Sequence, residues 1–95
     1  MSDNEVQRFI VAAANRSDNG MVVVSARHFD LLMHRQIQNL GMVSEFRTGT
    51  QGFIDQFGTF VDRFEALAIA EAAGQINVRR EKTHPDDRLF SEDLY

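Results

Sequence analysis

Arg27, His28, Asp30 and His34 crowd into one short stretch of this 95-residue chain, and their types suit the capture of an anion. The stretch follows Ser25, a good N-cap, so Arg27 and His28 are expected in the first turn of a helix. There, unpaired backbone N–H groups and the positive end of the helix dipole favour negative charge, and a bound phosphate would also meet a guanidinium. The competing account is structural: Ser25 satisfies the cap, Arg27 pairs with a carboxylate such as Asp30, and His28 fills a boundary position. Asp30 and His34 would share a helix face, where a carboxylate can orient an imidazole for general-base work or for a metal. A solvated polar stripe explains them more simply, because His28 and His34 lack i, i+4 spacing and no HExxH helix exists. No metal, cofactor or catalytic residue is therefore expected; Ser25 and Ser91 lack a nucleophile elbow and serve better as caps.

Arg63 opens a second helix one residue after its cap, an unfavourable place for a cation, and wants a carboxylate or phosphate. Asp30, Asp62, Glu92 and Asp93 are its candidate partners within the chain, and a nucleotide is the candidate from outside. Gln51 and Gln75 carry amides suited to a base edge or to backbone groups at an element end. Of the eight phenylalanines, Phe9, Phe29, Phe53 and Phe60 are expected in the core, whereas Phe46 and Phe57 are expected exposed, as interface or stacking residues.

The elements that must position these residues are unusually legible. Asn19-Gly20 separates the apolar runs Phe9–Ala14 and Met21–Val24, which marks a hairpin, and neither run alternates, so both faces need cover. A helix from about Ala26 to Leu40 follows, with Phe29, Leu32, Met33, Ile37 and Leu40 as its apolar stripe and Gly41 as its stop. Residues 42–50 have no clean period and are expected as a loop. Asp55-Gln56-Phe57-Gly58 then turns a second hairpin, Asp62 and Glu65 form a capping box, and Gly74 ends an alanine-rich helix. Its face of Ala66, Ile69, Ala70 and Ala73 permits close approach to a sheet.

The expected fold is α+β in the order ββαββα: two antiparallel hairpins with both helices on one sheet face, and a docked C-terminal tail. One domain spans residues 1–95, with a flexible N-terminus over 1–7, a charged linker over 77–88 and a docking tail over 89–95. In that tail Leu89, Phe90, Leu94 and Tyr95 are expected to dock on the domain or on a neighbour. The sheet face without helices points to a homo-oligomer.

Composition excludes several function classes. With no Cys the chain has no disulfide, thiol nucleophile or thiolate metal site. The polar N-terminus lacks a signal-peptide core and no run approaches a membrane span, so a cytoplasmic location is expected. A net charge of −4 argues against a nucleic-acid duplex, whose affinity rests on Lys and Arg neutralising phosphates.

Several spread-out segments, Ala26-Arg27-His28-x-Asp30, Gln51-Gly52-Phe53-Ile54, Gly58-x-Phe60-Val61-x-Arg63-x-Glu65-Ala66, Ala73-Gly74-Gln75 and Leu89-Phe90-Ser91-Glu92-Asp93-Leu94-Tyr95, give the chain a recognisable pattern. It resembles a widespread family of small proteins encoded by phages and prophages. That resemblance implies a phage origin and, by analogy with other small phage proteins, an antagonist of host defence. The leading expectation is a sponge that binds a nucleotide-like anionic immune signal without turnover, in a pocket bordered by Arg27, His28, Asp30, His34, Arg63 and the tail. The alternatives are an inhibitor that docks an acidic surface, rich at Asp86, Asp87, Glu92 and Asp93, on a host defence protein, and a small hydrolase using His28 or His34.

Overall fold

The computed structural model describes residues 7–77 and 82–94. The expectations for Tyr95, for residues 1–6 of the N-terminus and for residues 78–81 of the linker lie outside the described residues. Strands β1 (Ile10–Arg16), β2 (Val22–Ser25), β3 (Thr50–Asp55) and β4 (Phe60–Asp62) form one antiparallel sheet in the order β2-β1-β3-β4. Both expected hairpins form, and β1 pairing with β3 joins them. Gly20, at φ 91°, supplies the left-handed residue that the first turn requires, and Ser17 N donates to Met21 O at 2.8 Å across it.

Ala13, Phe53 and Val61 lie side by side across β1, β3 and β4 on one face. Helix α3 (Arg63–Ala72) lays Ala66, Leu67, Ile69 and Ala70 on them, and Ile10 and Leu89 complete this cluster. The small Ala66 and Ala70 let the helix backbone approach the sheet closely. Helix α1 (Leu31–Leu40) covers β2 on the same face, packing Met33 and Ile37 on Val23 with Phe46 to form a second cluster. On the outer face Phe60 lies across Gly52, where a Cβ would come within 2.6 Å of the ring, and the Arg16 guanidinium covers Phe60 at 4.7 Å. The sheet therefore shields part of its outer face with its own side chains, while Val22 on that face remains exposed.

Five local expectations need correction. Helix α1 begins at Leu31, not Ala26, because Asp30 and not Ser25 caps it: Asp30 Oδ1 accepts from Met33 N at 2.9 Å. Phe29, at φ 54°, breaks the helical path just before that cap. The later start narrows the apolar stripe to Met33 and Ile37, leaving Leu32 and Leu40 exposed. Residues 42–50 are not a plain loop, for they hold a short helix α2 (Val43–Arg47) and the first residue of β3. Phe46, expected at the surface, is 2% exposed, since α2 exists to press it under Met33 and Ile37. Phe9, expected in the core, is 41% exposed. Phe57 sits exposed in its turn as expected.

The tail docks. Leu89 is fully buried, its N–H donates to Arg63 O at 2.9 Å, and a 3-10 turn (Ser91–Asp93) follows. Asp93 fastens that turn: its carboxylate accepts from Thr83 N at 2.8 Å and Phe90 N at 2.9 Å and pairs with Lys82 at 2.8 Å. Burial pushes the Asp93 carboxyl up, but Lys82 and these amides more than offset it and hold it below the ordinary carboxylate value.

Candidate functional site

Phe53 is the hub of the polar residues that the sequence singles out. Strand β3 buries its ring, His28 meets it edge-on with centroids 4.9 Å apart, and the Arg63 guanidinium lies 5.8 Å from its centre. The loop Ala26–Asp30 brings His28 there. Asp30 Oδ2 accepts from Ser25 Oγ at 2.6 Å and from Arg27 N at 3.3 Å, so one carboxylate caps α1 and also folds the loop back over the sheet. Those bonds, Ser25 first, hold the Asp30 pKa below its ordinary value. His28 Nε2 lies 2.7 Å from the Gly52 carbonyl, so a neutral ring carries its proton there. Burial lowers the His28 pKa further than that carbonyl raises it, and the nearby Arg63 adds to the lowering.

Arg63 reaches the same place from the start of α3. It donates to Leu89 O at 2.7 Å and to Gln51 Oε1 at 2.5 Å, with its guanidinium 4.7 Å from the centre of the Phe90 ring. The tail thus supplies a carbonyl and an aromatic face where a carboxylate partner was expected, and Glu92 and Asp93 act on Arg63 through space. Glu92 instead approaches Arg27, at 3.4 Å. Arg27, His28, Gln51 and Arg63 are therefore brought together, beside the tail residues Phe90 and Glu92.

Beside Gln51 on the same sheet face is Asn15, which composition and spacing did not single out. It faces Gln51 across β1 and β3 and Val23 across β1 and β2, between the two apolar clusters. Asn15 is 1% exposed, yet neither Oδ1 nor Nδ2 has a hydrogen-bond partner. A buried amide with both ends open is costly and calls for water or a ligand. Its signal in the sequence is its phase: counting by twos from inward-facing Ala13 puts a polar side chain on the helix-bearing face.

Other expected site residues lie elsewhere. Asp30 is engaged as the cap, and His34 points away from the Phe53 group toward Phe29, with ring centroids 5.7 Å apart. Gln75 takes the other role expected of it, satisfying backbone groups at an element end: its Oε1 accepts from Ile10 N at 2.7 Å and its Nε2 donates to Ile10 O at 2.8 Å. Phe46 and Leu89 are core residues, and Phe90 and Leu94 are half-buried within their own domain. Phe46 and Leu89 are thus enclosed by the chain's own packing, whereas Phe90 and Leu94 keep part of their surface accessible.

The arrangement offers two guanidiniums, an imidazole and two amides, which suits binding an anion with polar edges. Ser25 Oγ is committed to Asp30, and His28 faces a backbone carbonyl, so no nucleophile is paired with a base here. Among the described residues no group of three metal-ligating side chains occurs, and no helix is long and apolar enough to cross a membrane. No curated protein and no solved structure matches the chain. The profile of the phage T4 y16D protein family matches residues 9–95, and the chain belongs to that phage protein family.

Proposed function

We propose that this protein binds and holds a small anionic, nucleotide-like molecule over Phe53 without turning it over, and so acts as a sponge for a host immune signal. The observation that carries the proposal is the buried Asn15 amide, open at both ends beside Gln51, whose Oε1 accepts from Arg63. Phosphate oxygens suit the two guanidiniums, and base or sugar edges suit the amides of Gln51 and Asn15. Glu92 then serves as the resident counter-ion of Arg27, to be displaced when the ligand arrives. A homo-oligomer through the outer sheet face, around Val22, belongs to the same proposal and is checked by light scattering.

The test is to incubate the pure protein with a mixed nucleotide extract, heat it, and analyse what is released. Unaltered ligand supports the sponge, and Arg27→Gln should abolish its recovery. Glu92→Gln should instead tighten binding several-fold, because it removes the competing carboxylate. Altered ligand would make the protein an enzyme. An empty release, with host proteins retained by the wild type and lost on substitution of Asp86 and Asp87, would replace the sponge with the acidic interaction inhibitor.

A further inference from the structure

A second concavity lies away from the Phe53 group, between α1 and α2. It is a cleft of about 350 Å³, within the range of small-molecule pockets. Phe29, Ile37, Val43 and Phe46 give it apolar walls, and His34 and Arg47 stand at its polar side. Phe46 and Ile37 belong to the second core cluster, whereas Val43 is 48% exposed at the mouth. Helix α2 is fixed in place at both levels of the chain: Asp18 N donates to Glu45 O at 3.3 Å, and the Thr48 hydroxyl donates to Asp18. The cleft is therefore built by anchored elements.

Arg47 goes unused by folding, and Phe29, which packs on the second cluster, does so with a strained backbone. Arg47 has no carboxylate partner among the described residues, whereas six other Arg or Lys residues, Arg8, Arg16, Arg27, Arg63, Lys82 and Arg88, each meet an acid or a ring. Phe29 holds a left-handed backbone, unfavourable for an aromatic residue, and that conformation sets its ring beside His34 as one wall of the cleft. Strain of this kind is retained where the surroundings impose it, and here Asp30 and the Phe29 N–H to Met33 Sδ contact at 3.2 Å do so.

We propose that the α1–α2 cleft is a separate binding site for a small molecule joining a flat aromatic group to one negative charge. The ring lies over Phe46 and against Phe29, and the anion meets Arg47 with His34 beside it. This site stands independently of the sponge proposal, since it shares no residue with the Phe53 group.

The test compares two probes with the same ring system, anilinonaphthalene sulfonate and its uncharged counterpart phenylnaphthylamine, by amide NMR on the intact protein. Both should shift the amides of His34, Ile37, Val43 and Phe46, and the sulfonate should bind about tenfold more tightly, as a charge-assisted contact implies. Arg47→Gln should erase that preference while sparing the neutral probe. Val43→Glu, at the exposed mouth, should weaken both, and Arg27→Gln should change neither. Shifts that map to Val22 or to Gln51, equal affinities, or a preference that survives Arg47→Gln would each overturn the proposal.

Discussion

In the second half of the chain Asp62 is both the last residue of β4 and the cap of α3, whereas in the first half the five residues Ala26–Asp30 separate β2 from α1. Both helices use an aspartate cap with nearly the same backbone, φ −77° and −73°. The direct junction leaves no loop over the sheet. The longer one lifts Arg27 and His28 across it, toward Arg63 and the tail. At the short junction only the Arg63 side chain reaches the candidate site, whereas the longer one brings Arg27 and His28 to it on a loop of their own.

The largest test of this contrast is packing. Leu89→Ala should cost about 3 to 4 kcal/mol, because Leu89 is enclosed by the α3 cluster, while Ile37→Ala should cost nearer 2 kcal/mol, because its site already borders an open cleft. Equal losses in urea unfolding would erase the distinction. Next come the caps. Asp62→Ala should cost about 1 kcal/mol, the ordinary worth of a cap, and Asp30→Ala about 2 kcal/mol, because the bonds from Ser25 and Arg27 go with it. Asp30→Ala should also loosen anion binding, whereas Asp62→Ala should leave it unchanged at temperatures where both fold.

The smallest effect is on pH dependence. The folded pKa of His28 lies below its ordinary 6.5, so the native state binds this proton less readily than the unfolded state. Its contribution is complete above about pH 6.5 and is lost as pH falls through the lowered folded value. His28→Gln should therefore flatten the decline in melting temperature below pH 6.5. A decline unchanged in the variant would place the titration elsewhere.

How much of this was legible follows from how local each signal is. Asn19-Gly20, the Asp62 cap and Gly74 act within a few residues, and the elements they bound were readable, although the Glu65 carboxylate expected to complete a capping box meets Arg8 instead. Asp30 was harder: Ser25 and Asp30 are both good caps in sequence, and the choice was made by a carboxylate with two oxygens bonding Met33, Arg27 and Ser25 together. Helix α2 has no period to read in so few residues, and only Phe46 filling the space beneath α1 reveals why it forms. Arg27, His28 and Arg63 could be suspected from their positions. That they meet around Phe53 depends on the β1–β3 register and on the tail's return, which no local pattern encodes.

The Gln75 side chain binds both the N–H and the C=O of Ile10, as a neighbouring strand would. One side chain beyond the end of α3 thus stands in for a piece of sheet edge. The exchange of the Ile10 amide proton with solvent is then governed by how often the last turn of α3 opens, not by separation of β1 from β3. That single amide becomes a clock for the helix end, readable from a strand.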